Sequence, residues 1–360
     1  PLAGLEPKSS ASTNFATRAR APIRYQPGYV SGDMVLLCGG AGFIGSHMAK
    51  RLRDLGERHV ILDSFEKGHR PAAGGSPVVE ADLRDRESIR RALTTFPIEV
   101  VIHFAGSIQV GESVRQPAEY WENNFVGTLN LLEAMREAGL SKLVFSSTAA
   151  VYGEPEVVPI PEDHPKKPTS PYGETKFAVE MALSAYERAY GLRSIALRYF
   201  NAAGSDPDGV FGEDHDPETH LIPAAILSAM GKTAPMQIFG TDYPTLDGTC
   251  VRDYVHVMDL AEAHRLAVRA LRDGAPSNQY NLGNGQGFSV REVLQMVQEV
   301  TGLVIPHSEG PRRDGDPAVL VASSEKIRAE LGWSPQYPDL GSMVSHAWNW
   351  RRAHPDGYRS

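Results

Sequence analysis

The sequence predicts an α/β protein, a doubly wound parallel sheet followed by a smaller mixed α/β lobe. Three observations predict it. Short, almost wholly apolar runs recur up to about residue 200, longer segments with helical spacing separate them, and a glycine-rich turn joins the first run to the first helix. Runs apolar on both faces read as strands buried on both sides, hence parallel. Strand and helix in strict alternation then give a sheet covered on both faces.

The elements follow in order. Apolar runs at 34–37, 60–62, 100–104, 143–145 and 194–197 read as the strands. Helical spacing occupies 45–55, 85–95, 119–138 and 172–189. After about residue 200, Gly, Pro and Asp become frequent and the alternation breaks down. Helical segments recur there at 221–230, 257–271, 290–300 and 325–331. The chain is therefore expected to divide into a nucleotide-binding domain over 32–200 and a second lobe over 201–352. The stretch 1–31 is rich in Ala, Ser and Pro and carries Lys8, Arg18, Arg20 and Arg24 against Glu6. It reads as a disordered tail rather than a targeting segment, because no hydrophobic or amphipathic stretch accompanies the basic residues.

Composition narrows the function. The 360 residues are 41 % apolar and 22 % charged, an ordinary globular profile. The net charge of −8 gives no general attraction for nucleic acid or an anionic membrane surface. The apolar runs fall far short of the ~20 residues a spanning helix needs. Cys38 and Cys250 are too few for a disulfide framework and fit a reducing compartment, so a cytoplasmic location is expected. No residues are assigned to a metal.

The glycine turn carries the first chemistry. Gly39-Gly40-Ala41-Gly42-Phe43-Ile44-Gly45 satisfies G-x-G-x-x-G through Gly40, Gly42 and Gly45. Glycines let the backbone approach a pyrophosphate, and the helix start offers it free N–H groups. The motif alone is weak, since a ligand-free glycine turn has the same letters. Its place between strand and helix, with Asp63 at the end of the next strand, supports a dinucleotide site. A carboxylate there bonds the ribose 2′-hydroxyl and repels a 2′-phosphate, so NAD is expected over NADP. Asp82 can reach the adenine or cap the helix at 85–95, and the sequence leaves both open. Phe104-Ala105-Gly106 ends a strand with residues small enough for close backbone approach.

Tyr172 and Lys176 lie four apart, on one face of a helix. A nearby ammonium favours the phenolate, which would let the tyrosine act as a base near neutral pH. Tyr-x-x-x-Lys is also common by chance, with an exposed lysine and a packed tyrosine. Downstream of a dinucleotide turn, with Ser146-Ser147-Thr148 between, the catalytic reading is the stronger. A hydroxyl of that cluster can bridge a substrate hydroxyl and the tyrosine oxygen, or satisfy its own loop backbone. The bridging role is assigned to Thr148.

Together these motifs resemble the UDP-glucose 4-epimerase family of the extended short-chain dehydrogenase/reductase superfamily, whose nucleotide domain is a Rossmann sheet. The resemblance runs from about residue 34 to the C-terminus. It rests on GGAGFIGSH (39–47), HFAGSIQVGES (103–113), SPYGETK (170–176), RYFNAAG (198–204), IFGTDYPTLDGTCVRDYVHV (238–257) and RRDGD (312–316). It implies inversion of C4 of a UDP-hexose through transient oxidation, with NAD as cofactor and a homodimer as the assembly. It implies that Gly39, Gly42, Phe43, Ile44, Gly45, Asp63, Ser64, Asp82, Leu83, Phe104, Ala105, Gly106, Asn123 and Tyr199 line the cofactor site with Tyr172 and Lys176. Thr148, Tyr172 and Lys176 would be the catalytic trio. Asn201, Leu221, Arg252, Arg313 and Asp316 would grip the UDP moiety, and Leu320 would border the sugar. For Arg252 and Arg313, salt bridging to Asp253 and Asp314 stands as the alternative.

Two positions depart from the family pattern. Ile108 replaces a lysine common in relatives beside the cofactor. Leu320 is intermediate between the aromatic residues associated with exclusion of N-acetylated sugars and the small ones associated with acceptance. UDP-N-acetylglucosamine therefore remains an alternative substrate, and so does UDP-xylose/UDP-arabinose, because the related pentose 4-epimerases use the same trio. Ala149 and Ala150 argue against dehydratase or decarboxylase chemistry, which needs an acid just after the hydroxyl cluster. A non-catalytic NAD(H)-sensing protein would need neither Tyr172, Lys176 nor the arginines.

Overall fold

The computed structural model describes residues 33–313 and 316–358. The tail expected over 1–31, and Asp314, lie outside the described residues. The strands are β1 Met34–Cys38, β2 His59–Asp63, β3 Val78–Glu80, β4 Ile98–His103, β5 Lys142–Thr148, β6 Arg193–Tyr199, β7 Asn201–Ala203, β8 Met236–Phe239, β9 Val251–His256, β10 Asn278–Leu282, β11 Gly287–Ser289, β12 His307–Gly310 and β13 Val319–Leu320. The helices are α1 Phe43–Asp54, α2 Arg86–Thr95, α3 Val110–Arg115, α4 Pro117–Tyr120, α5 Gly127–Glu137, α6 Pro171–Tyr190, α7 Leu221–Ala229, α8 Val257–Arg272, α9 Val290–Thr301, α10 Glu325–Leu331 and α11 Leu340–Ala353. None of the described helices is long and apolar enough to cross a membrane.

Seven strands form one sheet in the order β10-β6-β5-β4-β1-β2-β3, and every neighbouring pair is parallel. Side chains alternate between two cores, as pleating requires. Val35, Leu37, Ile61, Val100, Ile102, Val144 and Ile195 face α1 and α8. Leu36, Cys38, Val60, Leu62, Val101, Leu143 and Phe145 face α2, α5 and α6. Burial on both sides explains the unbroken apolar runs. Strand order reverses between β1 and β4, and the crevice beyond their carboxyl ends is where such sheets bind ligands.

The long helix that carries Tyr172 and Lys176 is punctuated in the sequence. Ser170 accepts a hydrogen bond from the Gly173 amide at 3.2 Å, Pro171 opens α6, and Gly191 closes it with a φ of 71°. The helix expected over 119–138 differs in detail. It is α4, then a wide π turn over Trp121–Val126, then α5. The boundary expected at 200 is also crossed. Helix α8 covers one face of the main sheet, and β10 extends its edge beside β6. The run Asn278–Leu282 is half polar because an edge strand does not need two apolar faces, so it escaped the strand pattern. The rest of the second lobe pairs β7, β11 and β13 with β9, and β12 with β8. Its core lies among α7, α9 and α11, around Ile226, Val293, Val297, Met343 and Val344.

Leu260 of α8 is fully buried in the core shared with the main sheet. Leu260→Ala should destabilise the protein by about 2–5 kcal/mol, read as a lowered urea midpoint.

Candidate functional site

The glycine turn packs against the switch point. Gly39 has a φ of 77°, and a Cβ there would lie 2.5 Å from the Ala105 amide nitrogen at the end of β4. A Cβ on Gly45 would lie 2.2 Å from the Gly39 carbonyl oxygen. Neither position admits a side chain. Gly42 is the N-cap of α1, no side chain caps that helix, and its first turn contains no acid. Its leading amides are thus open to an anion, and the cradle fits a pyrophosphate.

Asp63 sits where the ribose acid was expected and also tethers the turn. Its Oδ2 accepts from the Ala41 amide at 2.9 Å and its Oδ1 from the Phe65 amide at 2.8 Å. Burial raises its pKa, and those two hydrogen bonds oppose the rise. Each carboxylate oxygen keeps a lone pair for a ribose hydroxyl. Phe65 holds a φ of 57°, a left-handed conformation that brings its amide back to Asp63. Ser64 is exposed beside it. Asp82 is not a helix cap. Asp85 caps α2, while Arg84 Nε donates to Asp82 at 3.0 Å and the guanidinium holds the Asp82 carboxyl below the usual range. Leu83 is buried against Gly127, and Phe104 packs on His264 with ring centroids 4.7 Å apart.

The π turn sets two asparagines against the end of β4. Asn123 Nδ2 donates to the Ser107 hydroxyl at 2.9 Å. Asn124, unassigned from sequence, accepts from the Ser107 amide at 2.7 Å and donates to the Ser107 carbonyl at 3.0 Å. Its Oδ1 would lie 3.0 Å from a Cβ on Gly106. Asn124 therefore holds the Gly106–Ser107 backbone at the crevice. Its signal was local: of two adjacent asparagines, the buried one is the positioning residue.

The three hydroxyls that end β5 separate cleanly. Ser146 contacts the Tyr199 hydroxyl, and Ser147 donates to Glu180 Oε1 at 2.6 Å. Thr148 accepts from the Ala150 amide at 3.1 Å, which leaves its own proton to donate. It is hydrogen-bonded to Tyr172, and this bond works to lower the tyrosine pKa. Burial outweighs it and pushes Tyr172 above its ordinary range. The help expected from Lys176 does not appear. The Lys176 ammonium donates to the Ser146 carbonyl at 3.0 Å and lies 5.0 Å over the Phe145 ring, and burial lowers its pKa to about 8. Two of its protons remain for a ligand hydroxyl.

A buried network behind this trio escaped the sequence reading. Arg198 meets both Glu180 oxygens, at 2.9 and 2.6 Å, and its Nη1 donates to Tyr152 at 2.9 Å. Tyr152 donates to Asn281 Oδ1 of β10 at 2.7 Å. Glu180 lies four and eight residues beyond Lys176 and Tyr172, so helical spacing was the available signal.

The residues expected to hold UDP gather on β9 and its neighbours. Asn201 of β7 donates to the Asp253 carbonyl at 2.8 Å. Arg252 pairs with Asp316, not with Asp253. The Asp253 carboxylate instead accepts from the amides of Asn284, Gly285 and Ala322 at 2.8, 3.1 and 3.1 Å, and burial raises its pKa to about 6. Arg313 stacks 3.9 Å over the Phe239 ring at the end of β8. Leu221 opens α7. Leu320, opposite Arg252, packs on Val151, Tyr152 and Ile160, just beyond Thr148.

Lys176 yields a pH prediction. Its folded pKa of about 8 lies below the ordinary 10.5, so the burial cost of its charge is full below pH 8 and disappears as pH rises to 10.5. Stability of the wild type relative to Lys176→Met should rise over that window, measured by urea unfolding of both proteins at pH 8 and pH 10.

The profile of the NAD dependent epimerase/dehydratase family matches residues 35–283. The UDP-glucose 4-epimerase of Halalkalibacterium halodurans is 53 % identical over 324 residues, covering 90 % of this chain and 97 % of that one. The crystal structure of UDP-glucose 4-epimerase from Brucella ovis in complex with NAD superposes with a TM-score of 0.86 at 45 % identity, covering 88 % of this chain and 98 % of that one. The Bifidobacterium longum enzyme in complex with NAD+ and UDP gives 0.85 at 37 %, covering 90 % and 99 %. The chain belongs to the NAD dependent epimerase/dehydratase family, among relatives that are UDP-glucose 4-epimerases.

Proposed function

We propose that this chain interconverts UDP-glucose and UDP-galactose by inverting C4 through transient oxidation, with NAD as its cofactor. The observation that carries this reading is the sorting of the three hydroxyls: Ser146 is engaged by Tyr199, Ser147 gives its proton to Glu180, and Thr148 is the one bonded to Tyr172. Bound NAD supplies a reversible hydride acceptor for sugar C4. The chain supplies the rest. Tyr172 Oη takes the proton of the 4-hydroxyl and later returns one. Thr148 Oγ1 bridges the sugar hydroxyl and Tyr172, and Lys176 Nζ holds a ribose hydroxyl. Ala149 and Ala150 offer no acid for elimination or decarboxylation. Arg252 and Arg313 supply planar forks that match diphosphate oxygens, while Asp316 accepts from ribose hydroxyls. This assignment puts the cofactor on the main sheet and the UDP-sugar on the second lobe. Anchoring through UDP keeps the oxidised sugar in place, so remote binding energy serves the chemistry.

Two copies are proposed to associate as a homodimer through the nucleotide domain. Met181 and Tyr190 of α6, 55 % and 57 % exposed, support that surface. The free thiols of Cys38 and Cys250 support a reducing, cytoplasmic location.

Tyr172→Phe should lower kcat for UDP-galactose by about 10²–10⁴-fold while NAD stays bound, read by coupled assay and by the bound-cofactor spectrum. A wild-type rate would overturn the base assignment. Asp63→Ala should narrow the preference for NAD over NADP in reconstitution titrations, and an unchanged preference would remove the ribose role.

A further inference from the structure

Segment 204–220 links β7 to α7 without a helix or strand of its own. It carries Glu213-x-His215-x-x-Glu218-x-His220, a spacing to which the sequence reading assigned nothing. One ligand atom from each of these four residues lies within 4.8 Å of all the others. The His220 Nδ1 to Glu213 Oε1 distance is 2.8 Å, and His215 Nδ1 to the same oxygen is 3.2 Å. His220 Nδ1 to Glu218 Oε1 is 3.2 Å, and His215 Nδ1 to Glu218 Oε2 is 3.6 Å. Tetrahedral ligands at bond lengths of ~2.0–2.1 Å are spaced about 3.3 Å apart, close to these values.

The orientations make the same point. Glu213 Oε1, Glu218 Oε2 and His215 Nδ1 are buried with no hydrogen-bond partner among the described residues, although each has an opposite partner within ion-pair distance. The side chains of both glutamates are buried, 5 % and 4 % exposed. Of the imidazole–carboxylate approaches only His220 Nδ1 to Glu218 Oε1 makes a hydrogen bond, and the three unpartnered atoms converge on shared space, which suits a common cation. Glu218 Oε1 accepts from the amides of Thr219 and His220, both at 2.8 Å, which turns Oε2 inward as an outer-shell bond orients a metal ligand. Without an ion the two glutamates favour the protonated imidazoles, raising His215 to about 9 and His220 to about 10; a divalent ion would displace those two protons and leave the charge balanced.

We propose that Glu213, His215, Glu218 and His220 form a structural binding site for a divalent transition metal, with zinc favoured by the two-nitrogen, two-oxygen tetrahedral donor set. Four protein ligands close the coordination sphere, so the ion does no chemistry on a substrate. Its place gives it a mechanical role. The Phe43 ring, at the first residue of α1, lies 6.3 Å from the His215 ring, and His220 is the N-cap of α7. One ion would thus clip an otherwise irregular segment between the glycine-turn helix and the helix that opens with Leu221. His220, 37 % exposed, gives the ion its route in.

The test is metal content of the untagged full chain, dialysed against zinc and then passed through gel filtration. Mass spectrometry should find about one zinc per chain, and His215→Ala should hold less than about a fifth of that. Stripping the wild type with a chelator should lower Tm by on the order of 5 °C, restored by zinc and not by magnesium. A wild type that holds less than about a fifth of an equivalent, or a His215→Ala variant that holds as much as the wild type, overturns the site and leaves a metal-free histidine–glutamate ion-pair cluster. The wild-type content decides the matter even if the variant does not fold.

Discussion

The geometry of the candidate site depends on one buried ion pair. Arg198 of β6 and Glu180 of α6, with side chains only 3 % and 7 % exposed, are locked together by two hydrogen bonds. Taking both charges out of water costs several kcal/mol per ion, so the pair is weak evidence of stability in itself. What it gives is position. Ser147 of β5 donates to Glu180, and Arg198 donates to Tyr152, which in turn donates to Asn281 of β10, so three adjacent strands agree on where α6 lies. Tyr172 and Lys176 stand two turns and one turn back along that helix, on the face Glu180 fixes. A one-turn register error there would take both out of the crevice.

The charge balance at the trio is less favourable than a tyrosine–lysine pair suggests. Lys176 spends its ammonium on the Ser146 carbonyl and is itself depressed by burial. Tyr172 is left raised, with Thr148 as its one opposing influence. The chain alone therefore favours the neutral phenol. On the proposed mechanism, phenolate character at Tyr172 would have to come from positive charge that enters with the cofactor, which would couple base strength to cofactor redox state. In the proposed UDP region the logic is similar. Arg252 and Asp316 neutralise each other, so binding a diphosphate exchanges one partner for another instead of paying the full cost of a bare buried arginine.

The parallel sheet was legible because strands buried on both faces leave unbroken apolar runs, and the glycine turn because Gly39 and Gly45 have no room for a side chain. Tyr172, Lys176 and Thr148 were legible as a spacing and a neighbourhood. What was not legible is what depends on partners distant in the chain. Asp253 looked like a ready partner for Arg252, yet its carboxylate serves three amides from residues 284–322. The π turn left no mark, because a widened turn is a backbone adjustment that the helical period blurs. The strand Asn278–Leu282 hid because an edge position relaxes the apolar requirement.

That edge strand and α8 bear on how the molecule is made. A ribosome delivers the sheet's first six strands together, up to Tyr199, but the helix that roofs one of its faces ends only at Arg272, and the last strand only at Leu282. Until then Val35, Leu37, Ile102 and Ile195 lack part of their cover. The nascent chain must carry an exposed apolar surface while most of the second lobe's first half is still being synthesised. The cofactor-binding half is thus not an autonomous module that could be detached and shuffled at residue 200. Its completion waits on sequence that also passes through the other lobe, which ties the two halves into one inheritance unit.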